Sequence, residues 1–379
     1  MQMKQNKWRK WLARNMGSVV MLISYLLMGL GCGVASAWAV EKGGGGLIEM
    51  LLLVLGGVYG SLLVQIILHE AGHMVFGLAT GYKFVSFRIF SFVWQRTAEG
   101  KVKFGVSPLP GAGGQCLMSP PDMKDGKIPF VLYNLGGVLM NLIVAALCLI
   151  AAAAAANPVA DALLMMCALA GLMTAMTNGI PMHAGPVDND GYNILSLKRS
   201  EEALKGFWLQ MKAAGQSAQG VRLRDMPEEW FFMPSRAMIK NSMCASAGVF
   251  TCSRIMDQMK FEEALQAMNT LLRTGSGMVP LHRAGVQMDK ACCQLLLGQG
   301  KEAAEKSIDA TCKKLMKAMK TNISVIRTEY VFALLGEKDE KQAEEILSRF
   351  EAAAKKWPSE ADVESEKELI ACAREKFSA

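Results

Sequence analysis

Residues 47–78 are apolar almost throughout and yet contain His69-Glu70-Ala71-Gly72-His73, a pairing that constrains the chain more than any other feature. A stretch this long and apolar crosses a bilayer as a helix, because lipid offers no partner to an open N–H or C=O. On a helix, two imidazoles four residues apart project from one face, near enough to ligate a single zinc ion, and the carboxylate beside the first is placed to activate a water. An uncompensated ionisable group at bilayer depth costs about 2.5 kcal/mol or more, so such residues mark a functional cavity. The pattern reads as a hydrolase site inside a membrane.

Four spans are expected. Residues 17–40 carry no charge and follow Lys4, Lys7, Arg9, Lys10 and Arg14, which keeps the N-terminus in the cytoplasm. A cleavable signal peptide with Ala35-Ser36-Ala37 as its processing site is the competing interpretation, against which the uncharged stretch is long. Residues 47–78 return inward, with the His motif near the cytoplasmic end and Gly81 as the stop. Lys83, Arg88, Arg96, Lys101, Lys103, Lys124 and Lys127 follow, again a cytoplasmic pattern. Within this loop, residues 84–94 and 101–106, separated by Ala98-Glu99-Gly100, read as a short membrane-associated β-hairpin whose edge suits an unwound peptide. Residues 129–156 and 159–179 make the third and fourth spans, joined by the Asn157-Pro158 turn. Gly136 and Gly137 allow close helix approach, while Asn141 needs either an interhelical partner or a substrate contact.

Two His ligands are too few for a hydrolytic zinc, so a third is expected where the fourth span ends. There Asn178 and Pro181 interrupt the helix, and His183, Asp188 and Asp190 follow. An interrupted helix at membrane depth is tolerated only around a cavity or ligand. The His69-Glu70-x-x-His73 helix together with Asn178-x-x-Pro181 and Asp190-Gly191 resembles the site-2 protease family of intramembrane zinc metalloproteases over roughly residues 47–195. The resemblance implies that His69, His73 and Asp190 ligate Zn2+, that Glu70 is the general base, and that Asn178 and Pro181 position substrate. The insertion between Pro181 and Asp190 is longer than the common form, which leaves Asp188 as a rival ligand; Gly191 favours Asp190. His183 is a further candidate, though a loop imidazole near a helix end is more often solvated.

Of the 379 residues 51% are hydrophobic and 20% charged, and the charges crowd into the second half, which suggests two parts. A net charge of +7 without a basic stripe interleaved with aromatics fits anionic headgroups and speaks against nucleic acid as a partner. The ten cysteines form no Cys-x-x-Cys pair and read as reduced, small core residues. Near Ala264, Ala303 and Ala343, similar contexts recur about every 40 residues, which suggests stacked helical hairpins. They distantly resemble tetratricopeptide-type repeats, whose concave surface would receive a protein partner. Trp208 and Trp230-Phe231-Phe232 are expected against the headgroups.

The fold class expected is an all-α multi-pass membrane protein of about four transmembrane helices with a short β-hairpin, followed by a soluble α-helical repeat-like domain. Residues 1–46 form a cytoplasmic segment and first span, 47–199 the metalloprotease core, 200–249 a linker and 250–379 the cytoplasmic repeats. The function expected is peptide-bond hydrolysis in transmembrane or membrane-associated substrates. The alternatives are a catalytically idle scaffold that gathers partners through its repeats, and a transporter with a broken helix, which the small number of spans disfavours.

Overall fold

The computed structural model describes residues 2–97, 99–106, 113–184, 187–273 and 277–379, and of residues 2–16, 183, 184 and 187 the backbone alone. The chain divides into two compact units, one comprising Met1–Ser91, Gly111–Cys116 and Pro129–Ser196, the other Phe92–Pro110, Leu117–Ile128 and Leu197–Ala379.

Four long helices build the first unit: α1 (Gln2–Gly43), α2 (Leu47–Ala79), α3 (Phe130–Ala153) and α4 (Pro158–Gly179). Each contains a stretch long and apolar enough to cross a membrane. α4 packs against the other three, and α2 packs against α3. The polarity of α2 is inverted relative to a soluble helix. Gly57, Ser61, Gln65, His69, His73 and Gly77, spaced four apart, form a buried seam. Leu51, Leu52, Leu55, Leu63, Ile67 and Val75 face outward, as suits a helix apolar enough to cross a membrane.

Helix ends follow from local chemistry. At the end of α2 the Tyr82 N–H donates to the Gly77 carbonyl and the Gly81 N–H to that of Leu78, and Gly81 takes φ +87°. This paired closure needs a residue without Cβ at that position, as expected for the stop. The third helix ends at Ala153, short of the expected residue 156, because Ala154 and Ala155 turn back to the carbonyls of Ala151 and Ala152. Asn157 Oδ1 then accepts from the N–H groups of Val159 and Ala160, and Pro158 opens α4.

Residues 84–94, expected as one strand, are two. β1 (Lys83–Ile89) stops at Phe90, which adopts φ +50°, and β2 (Phe92–Arg96) follows. In the second unit β2 pairs antiparallel with β3 (Val102–Val106), register Phe92 to Val106 and Trp94 to Phe104, so the expected hairpin exists in its second half. Ala98 of its turn lies outside the described residues. β4 (Gly114–Ser119) precedes α3.

After α5 (Asp190–Arg199) come α6 (Glu201–Ser217), α7 (Ser242–Asp257), α8 (Phe261–Arg273), α9 (Pro280–Leu296), α10 (Lys301–Ser307), α11 (Ala310–Ala318), α12 (Ile323–Val331), α13 (Glu340–Ala354) and α14 (Glu360–Ser378). The three similar sequence contexts open α8, α10 and α13. Trp208 does not face the headgroups as expected. It is buried on α6, donates from Nε1 to the Pro121 carbonyl, and meets Trp230 edge-on, so its polar handle is used within the unit. The helical core encloses the guanidinium of Arg327, which is 2% exposed and donates to Glu366 Oε2 and Asp289 Oδ1, each at 2.6 Å.

Two outcomes are expected. Truncating Arg327 to Ala leaves two carboxylates buried without their counter-ion and lowers stability by about 3–5 kcal/mol, measured as a fall in denaturation midpoint. Gly72→Val places a Cβ onto the Gly136 carbonyl, which is backbone and cannot rotate away. It should cost about 3 kcal/mol, seen in thermal unfolding of the detergent-solubilised chain.

Candidate metal centre

The seam of α2 brings His69 and His73 to one face, where α3 passes so close that only glycine fits. A Cβ on Gly72 or Gly136 would enter the opposing backbone, and one on Gly137 would stand 2.5 Å from His69 Cε1. This close crossing delivers partners to both imidazoles. His69 Nδ1 lies 2.7 Å from Asn141 Oδ1, and His73 Nδ1 lies 2.8 Å from the Tyr133 carbonyl oxygen. A carbonyl only accepts, so each Nδ1 carries the proton and donates, and each Nε2 presents a lone pair.

The third group arrives from the end of α4. Asn189, 5% exposed, makes the turn: its Nδ2 donates to the carbonyls of Thr177 and Ile180, and its Oδ1 accepts from the N–H groups of Met182 and Tyr192. One side chain thus clasps the frayed end of α4 and caps α5, which sets Asp190 in the first turn of α5. The insertion after Pro181 is taken up by a two-residue ladder, β5 (His183–Ala184) with β6 (Val187–Asp188), which returns the chain to Asn189. Gly191 is required there, since a Cβ would overlap the Gly179 carbonyl.

Three ligand atoms converge as a result. His69 Nε2 and His73 Nε2 are 3.2 Å apart, and Asp190 Oδ2 lies 3.1 Å from the first and 3.5 Å from the second. Tetrahedral zinc with bonds of about 2.0–2.1 Å separates its ligand atoms by about 3.3 Å. Two lone pairs and an anionic oxygen pointing at one spot repel each other unless a cation lies between them, so the donor set fits zinc.

Glu70 is buried beside this group and faces β4, where a Cβ on Gly114 would stand 2.7 Å from Glu70 Oε1. Tyr133 ties the two together, since its hydroxyl donates to the Cys116 carbonyl of β4 while its own carbonyl accepts from His73.

The model of peptidase family M50 matches residues 58–354, well over half of the chain. The chain belongs to peptidase family M50, the site-2 protease family. M50 members are metallopeptidases, usually zinc-dependent, and four helices apolar enough to cross a bilayer fit a membrane protein of that family. The M50 match runs beyond the stretch in which the sequence resemblance was legible, into α13. No curated protein and no solved structure matches the chain.

Of the residues singled out in sequence, His69, His73 and Asp190 come together with Glu70 adjoining. Asn141 is fully buried, with both ends of its amide engaged by groups of α2. Asn178 donates to the Thr174 carbonyl of its own helix, and Pro181 is exposed at the break. Asp188 sits on β6 outside the converging group, and the His183 side chain lies outside the described residues. Sequence reasoning passed over Gln65, Tyr133 and Asn189. Gln65 was detectable as an amide one turn before His69 in an apolar run, and Asn189 as a capping residue before Asp190; Tyr133 acts through its carbonyl, which no side-chain pattern signals. Asp190→Asn is expected to reduce bound zinc by at least tenfold and Asp188→Asn to leave it unchanged, measured by metal analysis of the purified chain.

Proposed function

We propose that the chain is an intramembrane zinc endopeptidase acting on transmembrane or membrane-associated peptides, with His69, His73 and Asp190 as metal ligands and Glu70 as general base. What carries this reading is the set of three lone-pair donors 3.1–3.5 Å apart with a carboxylate from the same helical turn beside it. Bound zinc supplies polarisation of the scissile carbonyl and a water acidic enough to attack near neutral pH. Glu70 accepts the proton of the attacking water and returns it to the amide nitrogen as the C–N bond breaks. The Nδ1 bonds from His69 and His73 hold both rings so that they do not turn away during this transfer. Asn178 and Pro181, where α4 ends, position an extended peptide, because a substrate helix must unwind before its carbonyls can be reached.

The basic N-terminal segment and the basic loop after α2 support a multi-pass orientation with both termini in the cytoplasm of a cell membrane. The helices after residue 250 are proposed as a cytoplasmic surface that engages a protein partner.

Glu70→Gln preserves the ligands and removes the base. Cleavage of a co-expressed reporter bearing a transmembrane segment should fall by about a thousandfold or more while bound zinc stays at the native level. Undiminished cleavage would exclude Glu70 from the reaction.

A further inference from the structure

Gln65 lies one turn before His69 on the seam of α2 and has no exposed surface. Its amide is held at both ends by other helices. Nε2 donates to the Cys167 carbonyl of α4 at 3.0 Å, and Oε1 accepts from Asn141 Nδ2 of α3 at 2.7 Å. The same Asn141 Nδ2 also donates to the Gln65 backbone carbonyl at 2.9 Å. Both acceptors of that NH2 group therefore belong to one residue. They fix which way the Asn141 amide faces, and the oxygen left over is the one 2.7 Å from His69 Nδ1.

The orientation has consequences for the ligand. Were the Asn141 amide reversed, its NH2 would face His69 Nδ1, that nitrogen would have to accept, and the proton would move to Nε2, where it blocks a metal bond. The α4 side of the relay is also shaped for it: a Cβ on Gly171 would stand 2.8 Å from Gln65 Nε2, so glycine leaves room for the amide to reach Cys167. A fully buried glutamine in a lipid-facing helix is costly unless each polar atom is paired, and here each is.

We propose that Gln65 is a positioning residue of the metal centre, orienting the Asn141 amide so that His69 offers Nε2 to the cation. The inference rests on the zinc reading above and adds a residue that reads out through metal affinity. It touches neither substrate nor ion.

The test compares the full-length native chain with Gln65→Met and Gln65→Glu in detergent. Methionine keeps the approximate volume and the backbone acceptor but removes the side-chain acceptor; glutamate keeps both acceptors and, when ionised, loses the donor to Cys167. Zinc affinity is measured by competition with a chelating dye, and ligand geometry by the visible absorption of the cobalt(II)-loaded protein. Gln65→Met should bind zinc about 10- to 100-fold more weakly with an altered cobalt spectrum, the range seen when an outer-shell partner is removed. Gln65→Glu should restore near-native affinity and the native spectrum. Gln65→Leu stands in if Gln65→Met does not yield a folded species. Native affinity and spectrum in the apolar variant, or equal weakening in Gln65→Glu and Gln65→Met, overturns the inference while the zinc reading stands. Failure of the native chain to bind zinc overturns both.

Discussion

A helix as apolar as α2 can carry buried polar side chains only where neighbouring elements supply their partners, and the organisation of the first unit follows from that constraint. The seam of α2 is the centre of it. Two imidazoles, a glutamine and a carboxylate lie on or beside one helix face, and no lipid can solvate them. α3 contributes Asn141 and the Tyr133 carbonyl, and α4 contributes the Cys167 carbonyl and, past its broken end, Asp190. The bundle is thus held together by hydrogen bonds whose loss would leave unpaired groups in hydrocarbon, with leucines turned outward.

Close approach is what allows those bonds to form. The crossing at Gly72 and Gly136 has no space for a methyl group, and Gly137 lies against the face of the His69 ring. Small residues in membrane helices permit backbone contact that dispersion then stabilises. Here the same contact brings the Tyr133 carbonyl within 2.8 Å of His73, so packing and ligand orientation are one arrangement. The helical unit solves a similar problem with charge. Arg327 is placed between two carboxylates in the core, and neither partner can be removed without exposing the others to an apolar environment.

Much of the site was legible because its chemistry is written in short-range spacing. His69 and His73 share a face by helical periodicity alone, and Gly81 and Asn157 sit where helix ends need them. The loop between Pro181 and Asp190 was legible only as an insertion of unusual length, since nothing in its letters says that a two-residue ladder folds it back or that Asn189 clasps four backbone groups. Phe84 to Trp94 misled for a related reason: β-branched and aromatic residues run through it with no Gly, Pro, Asn or Asp to mark the turn, and Phe90 accepts a left-handed backbone conformation that its type disfavours. Trp208 was assigned by composition to an interface and is instead consumed by packing against its own unit, which no local pattern distinguishes. The orientation of Asn141 depends on three helices at once and is invisible to any one segment.

The inverted polarity of α2 bears on how the protein is made. Inserted during translation, such a helix would meet the bilayer with its seam uncompensated, because residues 141, 167 and 190 come later in the chain. Its leucines favour entry and its amide and imidazoles oppose it, so the helix is a reluctant guest until later helices dock. Folding of this unit is accordingly a question of chronology: one helix would need shelter until its successors arrive.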